Sequence, residues 1–214
     1  INSHIKRDST FLFTLIFYKS LCLQSYPMTK QIPQNNNKDN NDNQDQELML
    51  EINKIAKIDY DSESVITAQQ TGALAVADLI AEYESDTSFT NKPLQAMVLV
   101  RLQDLQVRDY AMGVVNAKRL DFFIKLWQSL LQVAPKGYIA PVATILAAIH
   151  YENRDLANAN TALKIAMADD ATYGLAKLLR RVFDAKWPSD SFVQMRRELH
   201  PKVCEYLFGS TMAS

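Results

Sequence analysis

His150, Tyr151 and Glu152 stand side by side in LAAIHYENRDLANA, residues 146–159, and together they have the widest chemical range of any neighbouring side chains in the chain. An imidazole next to a carboxylate can relay a proton or hold a metal ion. A helical metal site needs a second ligand about one turn away, and no second histidine stands at that spacing from His150. His4 lies near the start of the chain and His200 directly precedes Pro201, so the three histidines do not define a zinc site. Cys22 and Cys204 form neither a CxxC nor a CxxH pair, which fits a reducing compartment better than a disulfide framework. The sequence contains no glycine-rich phosphate loop, no HExxH and no GxSxG elbow. Asp104 reaches Arg101 at i,i+3 and Arg108 at i,i+4 if one helix continues through them, which describes an ionised, solvated carboxylate on a helix surface. No catalytic residue, metal or cofactor is assigned on these grounds.

These residues must be positioned by helices. From Glu47 onward apolar residues recur every three or four positions, and no stretch alternates as a strand does. The periodicity predicts a short helix through Leu48, Ile52 and Ile55, and a long one from about Ser64 to Tyr83 with a small-residue side. A third starts at Pro93 and runs through Leu105, and Asp109 caps the next. Further helices cover 120–131, 142–151, 156–167, 173–183 and 192–199, joined by short loops that imply antiparallel neighbours. The fold class is therefore all-α: a domain over residues 47–208, behind a leader and tether at 1–46 and before a tail at 209–214, both read as disordered.

Within the leader, FLFTLIFY at 11–18 is interrupted by Lys19 and is too short to span a bilayer. Residues 1–27 read as upstream or fragmentary sequence, with a secretory signal as the alternative, and Met28 as a candidate translation start. QNNNKDNNDNQDQ at 34–46 offers nothing apolar to offset backbone ordering. With 23 Lys plus Arg against 24 Asp plus Glu, net charge exerts no general pull toward nucleic acid or an anionic membrane.

The segment around His150 also has the spacing of a packing repeat. Leu146, Ala147 and His150, followed by Ala159, Leu163 and Ala166, sit at the offsets of a tetratricopeptide-type helical hairpin. Thirty-six positions earlier Tyr110, Ala111 and Val114, then Phe123, Trp127, Leu130 and Pro135, echo the pattern in larger residues. On this reading His150 fills space against a partner helix. The expected architecture is a short tetratricopeptide-like array of stacked hairpins, or an irregular bundle.

VRDYA at 107–111, the Trp127-centred helix, APVATILAAIHYENRDLANANTALKIAMADD at 140–170 and YGLAKLL at 173–179 carry a specific resemblance. They resemble the C-terminal half of an actinobacterial family, domain of unknown function 4192, over roughly residues 92–190. The resemblance implies a helical array in a cytoplasmic setting and brings no catalytic residue or cofactor with it. The N-terminal α/β part that members usually carry has no recognisable counterpart here.

The functional expectation is a non-catalytic domain for binding a protein or peptide. In a tetratricopeptide-type hairpin the first helix lines a concave face, which would present Thr144, Tyr151 and Glu152 to a groove. Lys177, Arg180 and Arg181 share one helix face and would add positive charge for an anion or acidic peptide. The alternatives are the regulatory or partial half of an enzyme, marked by a deep pocket joining His150 to Asp104 or Asp109, and a nucleic-acid accessory protein, which the few interleaved aromatics disfavour.

Overall fold

The computed structural model describes residues 42–209. The chain divides into two units, Ile1–Gln44 and Asp45–Ser214, and the second holds nearly all of what is described. Among the described residues there are nine α-helices and no strand, as the three-and-four periodicity predicts. The first helix, α1, spans Asp42–Lys54, so the last residues of the expected tether are helical. The rest of that tether, the leader and residues 210–214 lie outside the described residues.

Helix α2, Val65–Asp86, turns into α3, Lys92–Arg101, through a corner fastened by one carboxylate oxygen. Glu82 Oε1 accepts from Thr90 N at 2.8 Å, Thr90 Oγ1 at 3.0 Å and Asn91 N at 2.9 Å. Asn91 then caps α3, and Pro93 sits in the first turn, where its missing N–H costs nothing.

The chain does not run as one helix from 93 through 105. It breaks at 102–104, and Asp104, not Asp109, caps α4, Leu105–Gly113. Asp104 Oδ1 accepts from Gln106 N at 2.8 Å and Val107 N at 3.1 Å. A short acceptor that can bond its own downstream amides competes with helix continuation, and here it prevails. Gly72 on α2 lets this corner close up: a Cβ there would lie 2.7 Å from Arg101 Cβ and 2.8 Å from Val107 Cγ2.

After a 3-10 turn at Ala117–Arg119 come α5, Leu120–Val133, α6, Ile139–Glu152, and α7, Leu156–Asp169. Helix α8 spans Gly174–Asp184 and α9 spans Ser189–Phe208. Helix α6 is the axis of the fold. Every residue from Ala140 to Glu152 is buried, and α6 packs against α4, α5, α7, α8 and α9. Its closest neighbour is α7, across small residues: Ala147, Ala159 and Ala166 are fully buried, with Leu163 between them. Small side chains let two axes approach and larger ones fill the flanks.

The earlier echo of that hairpin is not built. Helix α4 packs against α9, α2 and α6, while α5 packs against α6, so the two do not pair with each other. The spacing recurs because aromatic and aliphatic residues fill a core at helical period anyway. The architecture is an irregular bundle around α6.

Helix α9 begins earlier and ends later than the predicted 192–199 and runs through Pro201. A proline there removes the bond to the carbonyl one turn back and crowds that carbonyl, yet the helix continues. Val203 and Leu207 beyond it still bury against Ala73 of α2, with Tyr110 and Leu199 alongside.

Candidate functional site

The side chains expected to line an open groove are buried. Thr144 is sealed within α6, its Oγ1 donating to Ala140 O at 2.6 Å. Tyr151 stacks on Phe183 with ring centroids 4.4 Å apart, meets Phe192 edge-on at 5.9 Å, and donates its hydroxyl to the Trp187 carbonyl. Burial raises the Tyr151 phenol above its usual range. Glu152 is paired with Arg196: Nε to Oε2 is 3.0 Å and Nη2 to Oε1 is 2.9 Å. The physical reason is α6's central place, because the face expected to be concave is covered by residues 183–196 from α8 and α9.

Arg196 does more than pair. Its Nη1 donates to the carbonyls of Met112 at 3.2 Å and Gly113 at 3.0 Å, at the end of α4, where carbonyls lack a full helical partner set. A cation is favoured there by the helix dipole as well. Around this pair lies a slight recess, walled by Val115, Ile145, Ala148 and Phe192, with no room for a water molecule. His150, Asp104 and Asp109 are not among its lining residues.

His150 is buried, with Nδ1 3.7 Å from Asp155 Oδ2, and burial lowers its pKa against the opposing pull of Asp155. Asp155 is itself engaged as the cap of α7, accepting from Asn158 N at 3.0 Å. Asp104 is neither solvated nor paired with Arg108. It is buried, and its Oδ2 accepts from Tyr60 Oη and Gln69 Nε2, both at 2.9 Å. Arg108 instead holds Asp109, Nη2 to Oδ1 at 2.8 Å, beneath the Tyr173 ring. Burial pushes the Asp109 carboxyl up while Arg108 holds it back, and the guanidinium stays charged throughout. The acid and base candidates thus serve separate structural bonds.

His200 and Cys204 face each other one turn apart, Sγ to Nε2 3.6 Å, a relationship hidden when residue 200 is read as a helix end. The pairing is not an activated thiolate. Burial raises the thiol, while burial and Arg196 lower the imidazole, so both favour their neutral forms.

The basic residues of α8 divide. Arg180 is half-buried and donates from Nη1 to Asn160 Oδ1 of α7 at 2.8 Å, while Lys177 and Arg181 are exposed. That bond sets the register of α7 against α8. Lys164, one turn beyond Asn160 on α7, is exposed as well. Neither Lys164, Lys177 nor Arg181 has a carboxylate at ion-pair distance among the described residues. Sequence reasoning missed Lys164 because it lies on α7, apart in the chain from the basic run of α8.

Among the described residues no three His, Cys, Asp or Glu side chains are grouped to hold a metal ion, and no helix is long and apolar enough to cross a membrane. The fold and its bonds define an all-helical bundle domain. The chain belongs to the family described as a domain of unknown function, DUF4192, whose match covers residues 27–189. That match reaches well N-terminal of the 92–190 resemblance, so α1 and α2 belong to the family segment too. No curated protein and no solved structure matches the chain.

Proposed function

We propose that this is a non-catalytic helical domain of the cytoplasm that binds an acidic segment of a protein partner across α7 and α8. The observation that carries the reading is the disposition of charge on α8. Arg180 is spent on Asn160, while Lys177 and Arg181 of α8 and Lys164 of α7 face solvent with no acidic partner at ion-pair distance among the described residues. Like charges on adjacent helices repel, and an incoming carboxylate relieves that repulsion while forming charge-assisted hydrogen bonds. Leu156 and Ile165, exposed on the same α7, offer apolar contact to the partner.

The test is photo-crosslinking in the native host from a reactive residue at position 177. A protein captured there, and lost with Lys164→Glu and Arg181→Glu, supports the reading. Capture of nucleic acid instead, or capture indifferent to charge reversal, overturns it.

A further inference from the structure

Two tyrosines are placed back to front. Tyr60, in the loop between α1 and α2, and Tyr206, on α9, are 62% and 51% exposed, yet both bond their hydroxyls to buried groups. Tyr60 Oη donates to Asp104 Oδ2 at 2.9 Å, and Tyr206 Oη donates to Gln69 Oε1 at 3.2 Å. Gln69 Nε2 in turn donates to the same Asp104 oxygen at 2.9 Å. Three hydrogen bonds therefore run from one phenol to the other through a buried amide and a buried carboxylate. A surface tyrosine ordinarily does the reverse, packing its ring and wetting its hydroxyl.

We propose that Tyr60 and Tyr206 form a docking surface for an arginine-bearing segment of a partner protein, their rings taking the guanidinium face and the carboxylates of Asp59 and Asp61 taking its N–H groups. The surface uses none of the residues of the α7–α8 proposal, so either can fail alone.

Ring exposure is the first argument. It leaves apolar surface in water at a cost that bonding the hydroxyls does not remove, and tyrosine is among the side chains that dominate binding hot spots. Pinning is the second. A phenol anchored at its far end has little rotamer freedom left to lose when a ligand packs on it.

Charge is the third argument, and it selects the partner. Asp59 and Asp61 flank Tyr60 and Glu63 follows; all three are exposed, and none has a basic group at ion-pair distance among the described residues. Only Lys57 opposes them in that loop. Beside Tyr206, Lys202 and Glu205 cancel in charge, and Arg101, buried with Asp104, offsets it below the surface. An aromatic face attracts a cation through its quadrupole. Of the two basic side chains, arginine stacks flat on a ring while its edge still meets a carboxylate.

The experiment titrates the full chain with a fluorescent peptide of three Arg-Gly-Gly repeats at about 0.15 M salt, against the same peptide with lysine for arginine. The arginine peptide should bind at least ~3-fold tighter than the lysine peptide. Tyr60→Leu with Tyr206→Leu should weaken it at least ~10-fold, and Asp59→Asn with Asp61→Asn at least ~5-fold. No binding at millimolar peptide, equal binding of the two peptides, or binding indifferent to the tyrosine change overturns the proposal. Because Tyr60→Leu also takes a donor from Asp104, a second measurement uses the wild-type chain. Nitration by tetranitromethane, read by mass spectrometry, should fall at Tyr60 and Tyr206 when the arginine peptide is added and not when sodium chloride replaces it. Rings left unprotected by the peptide overturn the proposal.

Discussion

Arg196 and Glu152, 44 positions apart, meet through two parallel N–H···O bonds at 3.0 and 2.9 Å with both side chains buried. The pair joins α9 to the central helix, and the same guanidinium closes the end of α4. Replacing one partner strands the other charge in the interior. Arg196→Met is expected to cost about 3–5 kcal/mol, measured by urea denaturation. Adding Glu152→Met should recover most of that loss, and a double variant as unstable as the single one would contradict the account.

Gly113 is required by His200. A Cβ at 113 would fall 2.0 Å from His200 Nδ1, so the ring lies directly on the glycine. Gly113→Ala should destabilise the fold by about 1–3 kcal/mol through overpacking. His200→Ala in the same chain should relieve most of it, as a thermal-melt cycle would show.

Asp104 organises a corner from four donors: two amides of α4, the Tyr60 hydroxyl and the Gln69 amide. Asp104→Ala removes a cap and leaves buried donors without an acceptor, at about 2–4 kcal/mol. Hydrogen exchange should quicken first at Gln106 and Val107. Exchange there unchanged from wild type would refute the role.

The pH dependence follows from two histidines. His150 and His200 both have pKa values lowered in the folded chain by burial. As pH falls below about 6.5, the unfolded chain takes up protons first. Stability from the neutral imidazoles is therefore complete above that pH and declines below it, until the folded values are passed. Tm should drop between pH 7 and pH 5, and His150→Gln with His200→Gln should flatten that slope. The carboxyl of Asp155, lowered by its bonds to Asn158, acts in a separate and more acidic window.

The helices were legible because burial imposes a period on the sequence. Leu146, Ala147, Ala159 and Leu163 report the α6–α7 contact directly, since both helices are close in the chain. The break at Asp104 was harder to see: a local cap competes with periodicity, and the apolar pattern runs unbroken across it. The groove residues misled for a different reason. Tyr151 and Glu152 look like a surface motif until Phe183, Phe192 and Arg196 are brought over them from the following helices. Polar pairs separated by 44 residues leave no spacing signal, whereas Lys177 and Arg181 were legible from a single turn of helix.

Helix α6, buried from Ala140 through Glu152, has no outward side. In a library of random substitutions, this stretch should therefore be the least forgiving in the chain, with even alanines refusing larger replacements. Tags, dyes and new sequence belong clear of both it and the α7–α8 face, at exposed positions such as Leu74 of α2.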